Sequence, residues 1–72
     1  MTLDELTPGE SARITEVDVG DASVFRPMSM GFIDGSVVTC ATRMFQTIEF
    51  NLYGTHVAIS TQIARKFTCE RL

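Results

Sequence analysis

Apolar and polar residues alternate most cleanly from Thr47 to Tyr53, where Ile48, Phe50 and Leu52 are interleaved with Glu49, Asn51 and Tyr53. A period of two over that length predicts an amphipathic strand with one wet face. Gly54-Thr55 turns the chain back into His56-Val57-Ala58-Ile59. Upstream, Ser36 to Thr42 forms a second strand pattern, with Val38 and Cys40 on one face and Val37, Thr39 and Ala41 on the other. Arg43-Met44-Phe45-Gln46 is the expected connection between the two, although it carries no Gly, Pro or Asn. Together these segments predict a three-stranded meander.

The pattern before and after the meander is shorter-ranged. Thr2-Leu3-Asp4-Glu5 has the spacing of a capping box, and Leu3 and Leu6 share one face of the single turn that Pro8-Gly9 ends. Between Glu10 and Val19, Ala12 and Ile14 point one way and Val17 and Val19 resume on the other parity, which predicts a bulge near Thr15-Glu16. Asp21 is placed to cap a short helix through Val24, Phe25, Met28 and Met30. Pro27 restricts that helix: it belongs in a first turn, or else it kinks the helix. Gly31 suits the position just past the helix end, and Asp34-Gly35 is a strong turn dipeptide. Ser60 or Thr61 can cap a second short helix carrying Ile63, Ala64 and Phe67, after which Phe67 to Leu72 returns as a last strand. Five short strands, sharp turns and single-turn helices predict one mainly β domain over residues 1–72, a small, strongly bent antiparallel β-barrel.

The charge balance narrows the partners. Six basic against nine acidic residues leave a net charge of -3, and Arg13, Arg26, Arg43, Arg65, Lys66 and Arg71 are scattered, so no basic face for nucleic acid is expected. No apolar run approaches the ~20 residues that cross a bilayer, and the acidic Met1-Thr2-Leu3-Asp4-Glu5 is unlike a signal peptide. A cytoplasmic protein without membrane insertion is the expectation. In that compartment two cysteines are reduced thiols rather than a bridge.

Candidate chemistry is sparse. Cys40, His56 and Cys69 are possible transition-metal ligands by type, but no CxxC or CxxH spacing supports a site, and Cys40 and Cys69 share parity with core positions. His56 is the one conventional base, next to a turn and without a matched nucleophile. No bound cofactor and no enzymatic activity are expected. Sulfur and aromatic residues stand out instead: Met28, Met30, Phe32, Ile33, Met44 and Phe45 exceed what a core already holding Ile14, Val38, Ile48, Phe50, Leu52, Val57, Ile59 and Phe67 needs. Met28, Met30, Phe32, Met44 and Phe45 are therefore expected to form an adaptable apolar surface that binds a protein. Self-association stays open at this stage.

The order of motifs resembles the FeoA family, small cytosolic accessory components of bacterial ferrous iron uptake. The resemblance rests on Leu3-x-x-Leu6-x-x-Gly9, Ala12-x-Ile14, Met30-Gly31-Phe32-Ile33-Asp34-Gly35-Ser36-x-Val38, Gly54-x-x-Val57-Ala58-Ile59 and Ala64-x-x-Phe67-x-Cys69. It implies an SH3-like barrel and a partner, the family's large membrane permease FeoB with its cytosolic GTPase domain, which would bring the protein to the inner face of the membrane. It also implies likeness to the C-terminal domain of metal-dependent repressors, whence the alternative expectation of a metal carrier or sensor with His56, Cys40 and Cys69 as ligands. Three features depart from the family pattern: Pro27 stands in place of leucine, Arg43-Met44-Phe45-Gln46 in place of a longer loop, and Cys40 and Cys69 in place of aliphatic residues.

Overall fold

In the computed structural model, which describes all of residues 1–72, five antiparallel strands form one sheet: β1 (Ser11–Val17), β2 (Val37–Met44), β3 (Thr47–Leu52), β4 (Thr55–Ser60) and β5 (Phe67–Arg71). Their order is β4-β3-β2-β1-β5. The sheet is bent by two bulges. Thr15 is the extra residue in β1, between the pairs Ile14–Cys69 and Glu16–Thr68, where the parity switch predicts it. Ala41 is the extra residue in β2, between Cys40–Phe50 and Thr42–Glu49. Each bulge adds local twist and turns the following residues to a new face. Val17 consequently packs against the core, whereas Val19 lies past the end of β1 and is exposed.

The ladder does not close on itself, since β4 and β5 are not paired. Helix α2 (Thr61–Ala64) joins them, with Ser60 Oγ accepting the Ile63 N–H at 3.1 Å as an N-cap. The outer side of β5 is covered by the first residues of the chain: Thr2 bridges to Thr68, and the Cys69 N–H donates to the Met1 carbonyl at 2.8 Å. A 3-10 turn over Leu3–Glu5 follows. The expected capping box of Thr2 and Glu5 forms here, the Thr2 N–H donating to the Glu5 carboxylate at 2.7 Å, and the Thr2 hydroxyl also meets the carboxylates of Asp4 and Glu5. Arg43 completes this turn from across the fold, its Nη1 donating to the carbonyls of Asp4 (2.6 Å) and Leu6 (2.7 Å).

The segment between β1 and β2 builds the plug. Asp21 caps a 3-10 turn, Ala22–Val24, by accepting the Ser23 N–H at 3.0 Å. Helix α1 (Phe25–Ser29) follows directly, with Pro27 in its first turn, where the missing N–H is tolerated. The helix ends in a Schellman motif: the Gly31 N–H donates to the Met28 carbonyl (3.0 Å) and the Phe32 N–H to the Pro27 carbonyl (3.1 Å). Gly31 takes φ +109, and a Cβ there would stand 2.7 Å from Leu52 Cδ2. Glycine is thus required twice over, by the backbone and by the close approach of β3. The turn over Ile33–Ser36 is then seated on β1, with the Gly35 N–H donating to the Ile14 carbonyl at 2.7 Å.

Reversing the chain after Gly31 drives Phe32 inward. Its ring is fully buried and meets Phe50 and Phe67 edge-to-face, with centroids 5.8 and 6.0 Å apart. Sixteen buried apolar residues form one cluster around these rings, including Leu3, Leu6, Ile14, Val38, Ile48, Leu52 and Ile59. Cys40 and Cys69 are free, buried members of it.

The hairpins differ from expectation by a few residues, for one reason each. Strand β2 runs on to Met44, so the connection to β3 is only Phe45-Gln46. The turn between β3 and β4 is Tyr53-Gly54, with φ +51 and +87, the positive pair that a two-residue type I′ hairpin needs. Tyr53 is therefore a turn residue rather than the last residue of the strand.

Candidate functional site

Among the apolar residues that the core leaves outside, two groups stand out. At the tip of the β2–β3 hairpin, Met44 is mostly exposed and Phe45 is fully so. Phe45 holds φ +49, in the left-handed region. A side chain with a Cβ costs about 1–2 kcal/mol there. An aromatic ring is thus held fully in water by a strained backbone that a glycine would adopt freely.

The second group surrounds α1 and the free side of β4. Met30 is 47% exposed. With Arg26, Thr55–Ser60 and Ile63 it lines a groove of about 520 Å³. Phe25 and Ile33 are also about half exposed, and Tyr53 more so, though its hydroxyl accepts the Val37 N–H at 3.4 Å. Met28 is half-buried and packs against the core. Gly31, next to Met30, abuts Leu52 at one end of β3, while Met44 pairs with Thr47 at the other end. Five strand steps at about 3.3 Å separate those ends by roughly 16 Å.

The five residues predicted to form one surface are thus divided. Met44 and Phe45 share the hairpin tip, Met30 belongs to the groove, and Met28 is half-buried against the core. Phe32 is a correction: it is fully buried between Phe50 and Phe67 rather than on the surface, because the Schellman turn at Gly31 reverses the chain into the core. Sequence reasoning overlooked Arg26 and Tyr53. Tyr-Gly between two alternating segments was the available signal for Tyr53.

The candidate metal ligands are not brought together. Cys40 and Cys69 lie in the core, and burial pushes both thiols above their ordinary pKa. His56 is exposed, with Nδ1 3.3 Å from Glu49 Oε1. No group of three His, Cys, Asp or Glu side chains is placed to hold a metal ion.

Most of the charge is used locally. Arg65 pairs with Asp4 (3.3 Å), Lys66 with Asp21 (3.5 Å) and Arg71 with Glu10 (2.9 Å). The Glu10 carboxyl is held below its ordinary pKa chiefly by the Thr7 N–H and hydroxyl, with Arg71 adding to the effect. Asp21 is lowered in the same way by the Ser23 N–H and hydroxyl, with Lys66 adding. No helix is long and apolar enough to cross a membrane.

A five-stranded SH3-like sheet with two short helices, exposed apolar residues at a hairpin tip and no clustered chemistry defines a class of small, mainly β domains. Comparison with known proteins narrows the class. The FeoA domain family matches residues 1–71, and the chain belongs to that family. Membership implies a role in ferrous iron transport, within a family of small accessory proteins. No curated protein matches the chain. Among solved structures, the FeoA protein from Chlorobium tepidum is 27% identical, with a TM-score of 0.89 over 100% of this chain and 70% of that one. An iron uptake regulatory protein (FeoA) superposes with TM-score 0.89 at 22% identity, covering 100% of this chain and 96% of that one. Iron(II) transport protein A from Clostridium thermocellum gives 0.86 at 22% identity, over 97% of this chain and 44% of that one.

Proposed function

We propose that this protein is a non-enzymatic adaptor of ferrous iron uptake that docks on the cytosolic GTPase region of a FeoB-type permease. Docking recruits it to the inner face of the membrane and biases the permease's transport-competent state. The observation that carries the reading is Phe45, an aromatic side chain fully in water on a left-handed backbone. Folding alone favours glycine at such a position, and aromatic residues are the usual anchors of protein interfaces. Met44 beside it adds a flexible apolar contact.

The test separates binding from folding. Phe45→Gly relieves about 1 kcal/mol of left-handed strain, offset in part by glycine's extra chain entropy of roughly 0.5–1 kcal/mol. Folding stability should therefore stay within about 1 kcal/mol of the parent. If Phe45 anchors the interface, truncation costs at least about 2 kcal/mol, or roughly 30-fold in Kd. Calorimetric titration of the cognate permease's cytosolic GTPase domain measures this directly. Unchanged affinity for Phe45→Gly and Met44→Ser would remove the hairpin tip from the docking surface, and no binding by the parent protein would refute the adaptor reading.

A further inference from the structure

The two outer strands of the sheet are treated differently. Beyond β5, Met1 and Thr2 take up backbone groups of Cys69 and Thr68. Beyond β4 no further strand pairs. The Thr61 N–H bonds the Gln46 carbonyl at 2.8 Å, which makes Gln46 and Thr61 a hydrogen-bonded pair of the β3–β4 ladder. Antiparallel pairs alternate, so Thr55, Val57 and Ile59 direct their backbone groups to β3. His56 and Ala58 direct theirs outward, as does the Ser60 N–H, while the Ser60 carbonyl, at the N-cap of α2, accepts the first bond of that helix.

Natural sheets blunt such an edge with Lys, Pro, an inward charge or a covering loop. Thr55-His56-Val57-Ala58-Ile59-Ser60 contains no Lys, Arg, Asp, Glu or Pro. The groove runs along this strand from Thr55 to Ser60, with Met30 and Ile63 as apolar lining. Its charge is one-sided. Arg26 is exposed without a carboxylate partner, and no Asp or Glu lines the groove, in a chain whose net charge is -3.

We propose that the β4 edge is a strand-addition site that takes an extended, acidic and apolar segment of a partner protein as a sixth strand. The segment's backbone would pair with His56, Ala58 and Ser60. Alternate apolar side chains would lie against Met30 and Ile63, and carboxylates between them would answer Arg26. A second copy of this chain fits less well, because pairing β4 with β4 would bring two Arg26 side chains and no acidic groove residue to one interface. The inference refines the docking reading above and fails separately from it, since it concerns β4 and Arg26 rather than the hairpin tip.

The probe is a blocked seven-residue peptide alternating valine with glutamate, titrated into the full-length protein and followed by amide shifts and hydrogen exchange. Saturable binding with slowed exchange at His56, Ala58 and Ser60 is expected, while Thr55, Val57 and Ile59, already paired, change little. The same peptide with lysine for glutamate should bind roughly tenfold more weakly, and Arg26→Glu should abolish or reverse that preference. Ala58→Pro removes an outward N–H that the ladder does not use and should abolish binding. If that variant does not fold, Arg26→Glu, on an exposed side chain, still decides the matter. Equal binding of the two peptides, no binding, or unchanged exchange at the three outward amides would overturn the proposal. So would concentration-dependent protection of those amides without peptide, which would make the occupant a second copy.

Discussion

Gly31→Ala is the substitution on which the description of the plug depends most. Two costs are separable there. The backbone at φ +109 is unfavourable for any residue with a Cβ, by about 1–2 kcal/mol or more. The new methyl group would also stand 2.7 Å from Leu52 Cδ2, inside van der Waals contact. Forcing extra volume against a packed side chain costs typically about 1–3 kcal/mol. Together these give roughly 2–5 kcal/mol, a large share of the ~4–11 kcal/mol available to a domain of this size. Gly35→Ala is the natural control: φ is +93, but nothing lies within 4 Å of the added carbon, so only the backbone cost applies. Thermal and urea unfolding should therefore place Gly31→Ala below Gly35→Ala by about 1–3 kcal/mol, or at least about 4 °C in Tm. In the double variant Gly31→Ala with Leu52→Ala, the clash vanishes and the two losses should fall short of additivity by a similar amount. Equal destabilisation at Gly31 and Gly35, or strict additivity with Leu52, would refute the close approach of α1's end to β3.

Other expectations follow from polar contacts and burial. Arg43→Met keeps most of the apolar stem but removes both hydrogen bonds to the Leu3–Glu5 turn and its exit; a loss of about 1–3 kcal/mol is expected in urea unfolding, with increased exchange of the Leu6 amide. Glu10 and Asp21 have folded pKa values below their ordinary 4.5 and 3.8. Their contribution is present above those values and is lost as pH falls through the lower, folded ones. Acid unfolding followed by circular dichroism should accordingly be less steep in Glu10→Gln and Asp21→Asn. Cys40 and Cys69 are buried with raised pKa values, so a thiol reagent at neutral pH should label neither in the folded protein and both in urea.

Much of the fold was legible in the sequence because local chemistry and burial pointed the same way. The bulge at Thr15 shows as a change of parity, Ser60 as a cap before an apolar turn, and Gly31 with Asp34-Gly35 as the stops around the plug. What escaped was conformation that the local residues do not favour. Phe45 takes a left-handed turn without a turn residue's chemistry, so β2 and its hairpin look shorter in sequence than they are. The surplus of apolar residues was also legible, but not which residues made it up. Phe32 is decided by the direction the chain takes after Gly31, and composition carries no record of direction. The metal candidates failed for a related reason, since ligand type says nothing of whether Cys40, His56 and Cys69 face one another.

The ladder between β1 and β5 has a bearing on how the molecule comes together in time. Strands β2, β3 and β4 are joined by two-residue turns, whereas Ile14 must find Cys69. Closing a loop of roughly 50 residues instead of 2 costs about 3 kcal/mol more chain entropy. The meander is therefore the part that can assemble from neighbours alone; β1 can then add to β2, and β5 has no strand partner until β1 is in place. During that interval Phe32 lacks Phe67, one of the two rings that seat it. The last strand to arrive thus completes the core as well as the sheet.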